Sequence, residues 1–190
     1  GVKLMVLPGI PLGSQNPGQV ELPYCIHTSQ TTQMAVLRDI VYSLKRQGIH
    51  KLMIISGHGG NNFKGIIRDI MIEDPEMIIV QNEWFSIIPA KDFFEEKIDD
   101  HAGELETSVM LHYYPELVRM DLAGDGNSRK FAIEGLNTKV AWLPRDWSRV
   151  TKDTGVGFPK KGTAEKGRRY MEAVIPRILQ FVIDFTSKEI

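Results

Sequence analysis

Hydrophobic residues recur at two spacings along the chain, and the two spacings predict alternating strands and helices. Short continuous apolar runs indicate strands at about 3–7, 51–56 and 77–81. Apolar residues at helical spacing indicate helices at about 29–47, 63–73, 103–114 and 163–185. Pro176 lies inside the last of these, where we expect a kink or one lost backbone hydrogen bond.

This alternation favours an α/β fold, in which a mostly parallel β-sheet is sandwiched by α-helices in three layers. We find no internal repeat and no low-complexity linker, and residues 121–162 show no clear periodicity. A chain of 190 residues is long enough for one ordinary hydrophobic core. We therefore expect a single domain over residues 1–190.

Composition and charge exclude several classes of protein. The formal net charge is -1, from 23 basic and 24 acidic residues, which argues against a nucleic-acid or membrane-surface partner. The one cysteine, Cys25, cannot form an internal disulfide, so we expect a reducing, cytoplasmic compartment. No apolar run approaches the length of a membrane span. These observations argue against disulfide-stabilised scaffolds, membrane-spanning proteins and proteins that bind mainly through opposite charge.

A glycine-rich loop follows the predicted strand at 51–56. Segment 56–62 reads Ser-Gly-His-Gly-Gly-Asn-Asn, at the strand end where ligand sites gather in parallel sheets. His58 offers an imidazole, the commonest metal ligand, and the next two glycines let the backbone approach a ligand closely. A glycine turn with a solvated histidine is the alternative interpretation.

A second cluster surrounds the start of the helix predicted at 103–114. Glu106 shares a helix face with apolar residues, so we expect it to be buried and to need a metal, an arginine or a protonated histidine as its partner. Glu104 is either a catalytic carboxylate or a cap of the helix. His101, beside two aspartates, is a candidate general acid or base. A solvated acidic helix start remains possible for the whole cluster.

Together these motifs resemble those of the creatininase (creatinine amidohydrolase) family. The resemblance rests on segment 57–61 (Gly-His-Gly-Gly-Asn) and segment 101–108 (His-Ala-Gly-Glu-Leu-Glu-Thr-Ser). It extends to Ser14 and to segments 154–157 and 163–167, and so spans most of the chain.

The resemblance implies a metal-dependent amidohydrolase that cleaves a non-peptide C–N bond, such as a cyclic amide or a formamide, by metal-activated water. It implies two divalent ions per site (zinc, manganese or iron) and a homo-oligomer, often a hexamer. His58 and Glu106 would be metal ligands, and His101 the proton-transfer residue. The remaining candidates are catalytic Glu104 and the substrate-binding residues Ser14, Gly59, Gly60, Asn61 and Trp84.

The chain also differs from the family pattern. Gly60 stands where creatininase carries a glutamate ligand, and segment 96–99 lacks a tryptophan that creatininase has there. The Glu-x-His pair and the later aspartate that family members carry near their start are missing. We interpret the chain as a family member without its N-terminal strand and metal ligands. The alternatives are a catalytically inactive binding or assembly subunit, and a hydrolase that uses Cys25.

Overall fold

The computed structural model describes residues 2–11, 13–96 and 99–190, and the chain divides into two compact units. The first unit comprises residues 1–15, 24–85 and 178–190. The second comprises residues 16–23 and 86–177. No helix in the described part of the chain is long and apolar enough to cross a bilayer.

The first unit is built around a strand–helix–strand arrangement. Its elements are α1 (Gln30–Arg46), β1 (Lys51–Ser56), α2 (Lys64–Glu73) and β2 (Ile78–Glu83). The strands β1 and β2 pair in parallel, with Lys51 opposite Ile78 and Ser56 opposite Glu83. The core of this unit consists of buried residues from both helices and from β2 and its approach: Leu37, Val41, Ile66, Ile70, Met77 and Ile79.

The helix α1 begins where the sequence predicts. Ser29 is the N-cap, and its Oγ accepts a hydrogen bond from the Thr32 N–H at 3.2 Å. The chain leaves the helix through Gly48, whose φ of 73° suits a residue without Cβ. Local capping and the apolar stripe thus agree, and the boundary is confirmed.

The second unit contains shorter elements. It holds α3 (Glu104–Tyr113), α4 (Glu134–Asn137), α5 (Trp147–Val150) and the first part of α6 (Ala164–Ser187), together with several 3-10 turns. Residues 121–162 accordingly form turns and two four-residue helices rather than long elements. The helix α6 continues through Pro176 to Ser187.

The strand predicted at 3–7 is absent, which corrects the interpretation of that apolar run. Residues 3–7 have no regular secondary structure, and Val6 is 85% exposed. A strand needs backbone partners, and within the described residues the named sheet contains β1 and β2 alone. Apolar composition without a neighbouring strand therefore does not produce β structure here.

Candidate active site

The glycine-rich loop at the end of β1 is held by hydrogen bonds to His58. The Ser56 hydroxyl donates to the His58 carbonyl at 3.0 Å, and the Asn61 N–H donates to the same oxygen at 3.2 Å. The Gly60 N–H donates to Nδ1 of the His58 ring at 3.0 Å. A ring nitrogen that accepts a hydrogen bond carries no proton, so a neutral His58 has its proton on Nε2.

Gly60 has a steric reason to be glycine in this arrangement. A Cβ added there would lie 2.9 Å from the His58 ring and 3.5 Å from the Ser14 carbonyl oxygen. A longer side chain, such as the glutamate that creatininase carries, would displace the imidazole from its present position. The difference at this residue is therefore coupled to the orientation of His58.

Ser14 lies beside the glycine-rich loop. Its N–H donates to Oδ1 of Asn61 at 3.0 Å, which joins the two loops of the first unit. Its Oγ accepts hydrogen bonds from the side-chain amides of Gln33 at 3.0 Å and Gln30 at 3.2 Å. With two amide donors on this oxygen, the Ser14 hydroxyl is left to act as a donor.

Sequence reasoning missed Gln33. This glutamine is buried in the first turns of α1, and its amide also donates to the Thr28 carbonyl at 2.9 Å. The available signal was a polar residue on the otherwise apolar face of an amphipathic helix. Such a residue needs buried partners, and here they are Ser14 and Thr28.

Two aromatic residues, Trp84 and Phe85, follow β2. Trp84 and Phe85 contact each other edge to face, with ring centroids 5.7 Å apart. Phe85 is the ring that lies against the loop, with its Cζ 3.5 Å from the position of a Cβ on Gly59. The role of Trp84 in substrate binding stays a prediction.

In the second unit, the start of α3 is capped by carboxylates. Glu106 Oε2 accepts the Ala102 N–H at 2.6 Å, and Asp99 Oδ2 accepts the Leu105 N–H at 2.6 Å. Ala102 has a φ of 48°, unusual for a residue with a Cβ, at the point where the chain enters the helix. Carboxylates at this end also favour the helix dipole.

The structure corrects which carboxylate is buried. Glu104 is fully buried, whereas Glu106 is half-buried. The stripe that contains Glu106 also contains Met110 and Tyr113, and both are exposed. The face of α3 that turns inward carries Glu104, Leu105, Ser108 and Val109.

The buried Glu104 carboxylate has a complete set of partners. Its Oε2 accepts the backbone N–H groups of Glu95 at 2.9 Å and Glu96 at 2.8 Å, and its Oε1 lies 2.5 Å from Nζ of Lys166. Lys166 also contacts a carboxylate oxygen of Glu95 at 3.0 Å. The hydrogen bond to Glu104 raises the pKa of Lys166 above its usual value. Glu104 therefore holds α6 and the 95–96 segment against α3.

Asp99 carries the most perturbed carboxyl group near α3. Burial, followed by the neighbouring carboxylates Glu106, Glu104 and Glu96, raises the pKa of Asp99 to about 6 from an ordinary 3.8. The hydrogen bond from the Leu105 N–H opposes that shift. Asp99 therefore keeps its proton to a higher pH than an ordinary aspartate does.

His101 is held by both its backbone and its ring. Its N–H donates to the Val156 carbonyl at 3.0 Å, and the Val156 N–H donates back at 2.7 Å. Its imidazole contacts the buried Trp147 ring edge to face, with centroids 4.9 Å apart. The neighbouring Asp100 is ion-paired with Arg145.

Two sets of candidate residues thus emerge, one in each unit. The first unit brings together Ser14, His58, Gly59, Gly60 and Asn61, and the second brings together His101, Glu104 and Glu106. The family resemblance implies that both sets contribute to one metal-bearing site, and this stays a prediction. Residues 97 and 98, part of the segment without the creatininase tryptophan, lie outside the described residues.

Within the part of the chain that the structure describes, donor types for a divalent ion are present but are not grouped into a complete ligand set. Among residues 2–11, 13–96 and 99–190, no group of three or more His, Cys, Asp or Glu side chains could hold a metal ion. His58 Nδ1 and Glu106 Oε2 each accept a backbone N–H. The side chains of the described residues therefore do not form a metal centre by themselves.

Comparison with known proteins identifies the family to which the chain is similar. The creatininase family model, described as creatinine amidohydrolase, matches residues 1–182. The creatinine amidohydrolase of Pseudomonas putida is 25% identical over 193 residues, which cover 92% of this chain and 72% of that protein. The mycofactocin precursor peptide peptidase of Mycobacterium ulcerans is 30% identical over 128 residues, or 66% of this chain and 45% of the relative.

Solved structures share the fold. A crystal structure from Bacteroides fragilis NCTC 9343, provisionally described as a creatinine amidohydrolase, is 54% identical with a TM-score of 0.94, and the match covers 98% of this chain and 74% of that one. A creatinine amidohydrolase (creatininase) structure has a TM-score of 0.77 at 22% identity, with 97% and 76% of the two chains covered.

The protein is of the α/β class: it combines helices with a parallel sheet and carries a histidine-containing loop at the end of a strand. Within that class, the chain belongs to the creatininase family, whose members are hydrolases acting on amide bonds. Both the family resemblance and the fold class expected from the sequence are confirmed.

Proposed function

We propose that this protein is a metal-dependent amidohydrolase that cleaves a non-peptide C–N bond in a small molecule, either a cyclic amide or a formamide. The observation that supports the proposal most is the family match, which includes both the His58 loop and the His101 segment. The helix start in the second unit adds support, since His101 is fixed through its backbone and its ring.

The proposed roles follow from the chemistry of each side chain. His101 donates a proton to the leaving nitrogen, a task for which imidazole is suited near neutral pH. The Ser14 hydroxyl, oriented by the amides of Gln30 and Gln33, donates to an acceptor oxygen of the substrate. The glycine-rich loop contributes to substrate binding through Gly59, Gly60 and Asn61. Glu104 supports α3 from within the core.

We propose that divalent metal ions are the cofactor. Two solved creatininases, a manganese form and a Zn–Zn form, share the fold at TM-scores of 0.75 and 0.72. His58 and Glu106 are the ligands that this chain would contribute. A bound divalent ion would polarise the amide carbonyl and make a hydroxide available near neutral pH.

Metal analysis and a substrate panel test this proposal. Elemental analysis of the purified protein should find zinc, manganese or iron, and His58→Ala and Glu106→Gln should each lower the metal content. The matched controls are His50→Ala and Glu116→Gln, since both residues are exposed. His101→Ala should keep the metal and lower the turnover number about 100-fold or more. A full-length protein without bound metal would refute the cofactor, and unchanged turnover in His101→Ala would refute the proton donor.

The panel should contain creatinine, an N-formyl aminopyrimidine and a short peptide. The peptide is included because the relative from Mycobacterium ulcerans is a peptide peptidase. Hydrolysis of the peptide in preference to the other two would replace the non-peptide proposal by a peptidase. A wild type that cleaves none of them yet binds one would favour the inactive binding or assembly subunit.

A homo-oligomer, often a hexamer in this family, and a cytoplasmic location also stay predictions. Light scattering during size-exclusion chromatography measures the molar mass and therefore the oligomeric state. A monomer at micromolar concentration would contradict it.

A further inference from the structure

The imidazole proposed to transfer a proton packs against a second aromatic ring. Trp147 is 5% exposed, and its ring centroid lies 4.9 Å from that of His101 at an interplanar angle of 62°. Edge-to-face pairs at this separation are attractive beyond the area that they bury. The contact restricts how the His101 side chain can turn, since the Val156 bridge already fixes its backbone.

Arg145 supports the tryptophan and the residue next to His101 at once. Its guanidinium carbon lies 4.6 Å from the Trp147 ring centroid, as in a cation–π contact. The same guanidinium pairs with the carboxylate of Asp100. Arg145 therefore links Trp147 to the backbone that carries His101.

The position of Trp147 is fixed from the other side by the loop at 16–19. The Trp147 N–H donates to the Pro17 carbonyl at 2.9 Å, and the Thr151 hydroxyl donates to the Trp147 carbonyl at 2.6 Å. A Cβ at Gly18, whose φ is 78°, would lie 2.5 Å from Oδ1 of Asp146. This close approach leaves the first turn of α5 little room to shift.

The indole N–H of Trp147 is buried and has no hydrogen-bond partner among the described residues. Buried tryptophans usually satisfy this donor, and leaving it unpaired has a cost. The contribution of Trp147 to the arrangement therefore comes from the shape and area of its ring. Phenylalanine would keep much of that contact and remove the unpaired donor.

We propose that Trp147 is a positioning residue: held by Arg145 and the 16–19 loop, it fixes the His101 imidazole in the orientation that proton transfer requires. The inference rests on the proposed function of His101. It assigns a role to the irregular segment 121–162, in which Trp147 lies. It also identifies Asp100 and Arg145 as the ion pair that holds the arrangement together.

The test combines nuclear magnetic resonance with kinetics on the intact protein. Histidine-labelled wild type, Trp147→Leu and Trp147→Phe are compared, and His101→Ala assigns the His101 signals. Trp142→Leu is the control, because Trp142 is 83% exposed. Loss of the neighbouring ring in Trp147→Leu should shift and broaden the His101 ring signals, whereas Trp147→Phe and Trp142→Leu should keep them sharp. Far-ultraviolet circular dichroism checks that each variant is folded.

On a hydrolysed member of the substrate panel, Trp147→Leu should lower kcat about 10- to 100-fold with KM within about twofold, since misplacement of a catalytic group has effects of this size. Trp147→Phe should restore most of kcat. His101 ring signals that move but stay as sharp as in wild type in a folded Trp147→Leu would overturn the positioning role, even if His101→Ala abolished activity, because the lost ring current alone moves them. A Trp147→Phe variant as impaired as Trp147→Leu would also overturn it, because the indole N–H would then be needed. If wild type hydrolyses nothing, the proposed function fails and the resonance experiment alone decides about Trp147.

Discussion

Removing the lysine that pairs with the buried Glu104 should destabilise the protein strongly. In Lys166→Met the Glu104 carboxylate stays fully buried with only two backbone N–H donors, from Glu95 and Glu96. Breaking a buried ion pair in this way costs ~3–5 kcal/mol. A typical domain has a free energy of unfolding of only ~5–15 kcal/mol, so the loss would be a large part of the total.

Changes at Glu104 itself separate a structural role from a catalytic one. Glu104→Gln keeps the shape but loses the charge, and should cost ~1.5–3 kcal/mol because a donating amide nitrogen replaces one of the two oxygens that accept hydrogen bonds. The double variant Glu104→Leu with Lys166→Met should lose less free energy of unfolding than the two single variants lose in sum. The double variant removes both charges together, whereas each single change leaves one charge without its partner.

Urea denaturation followed by circular dichroism measures each free energy of unfolding. The control is Asp121→Asn, because the Arg119–Asp121 pair is exposed and screened by solvent, so its loss should change the free energy of unfolding little. A loss below ~1 kcal/mol in Lys166→Met would refute the reasoning, since a desolvated carboxylate cannot lose its cation so cheaply. A Glu104→Gln variant with native stability and abolished turnover would instead favour the catalytic role.

Three further outcomes are expected. Burial raises the pKa of Asp99 to about 6 in the folded protein, so between about pH 4 and pH 6 the folded state holds a proton that the unfolded state has lost, and the free energy of unfolding falls as pH rises through this range. Asp99→Asn keeps an acceptor for the Leu105 N–H, so in urea titrations its stability relative to wild type should be greater at pH 7.5 than at pH 4. An equal difference at the two pH values would contradict this. Gly60→Ala should displace the His58 ring, because the new Cβ would lie 2.9 Å from it, so the metal content should fall while the denaturation midpoint changes little; an unchanged metal content would count against the coupling. Ser29→Ala removes the N-cap of α1 and should cost ~1 kcal/mol in thermal or urea unfolding, with a cost near zero as the contrary result.

Sequence patterns located the loops of the candidate site but not the environment of each side chain. Segment 56–62 was placed correctly because a short apolar run followed directly by glycines has few alternatives to a strand and a loop. The burial of the α3 carboxylates was harder to predict, since residues 104 and 106 both lie in the first turn. The stripe of apolar residues predicted a buried Glu106, whereas Glu104 is the buried one. Which face turns inward depends on Lys166, 62 residues further along the chain from Glu104.

Local chemistry in the sequence determined the helices α1, α2, α3 and α6, the strands β1 and β2, and the family motifs. Each depends on residues a few positions apart, so short-range periodicity and hydrogen bonding suffice. The tertiary structure alone decided that Gln33 orients Ser14, that Glu104 pairs with Lys166 and that Trp147 packs on His101. It also left residues 3–7 without a strand. These outcomes depend on contacts between residues distant in the chain, and burial and charge pairing at such contacts cannot be read from neighbouring positions.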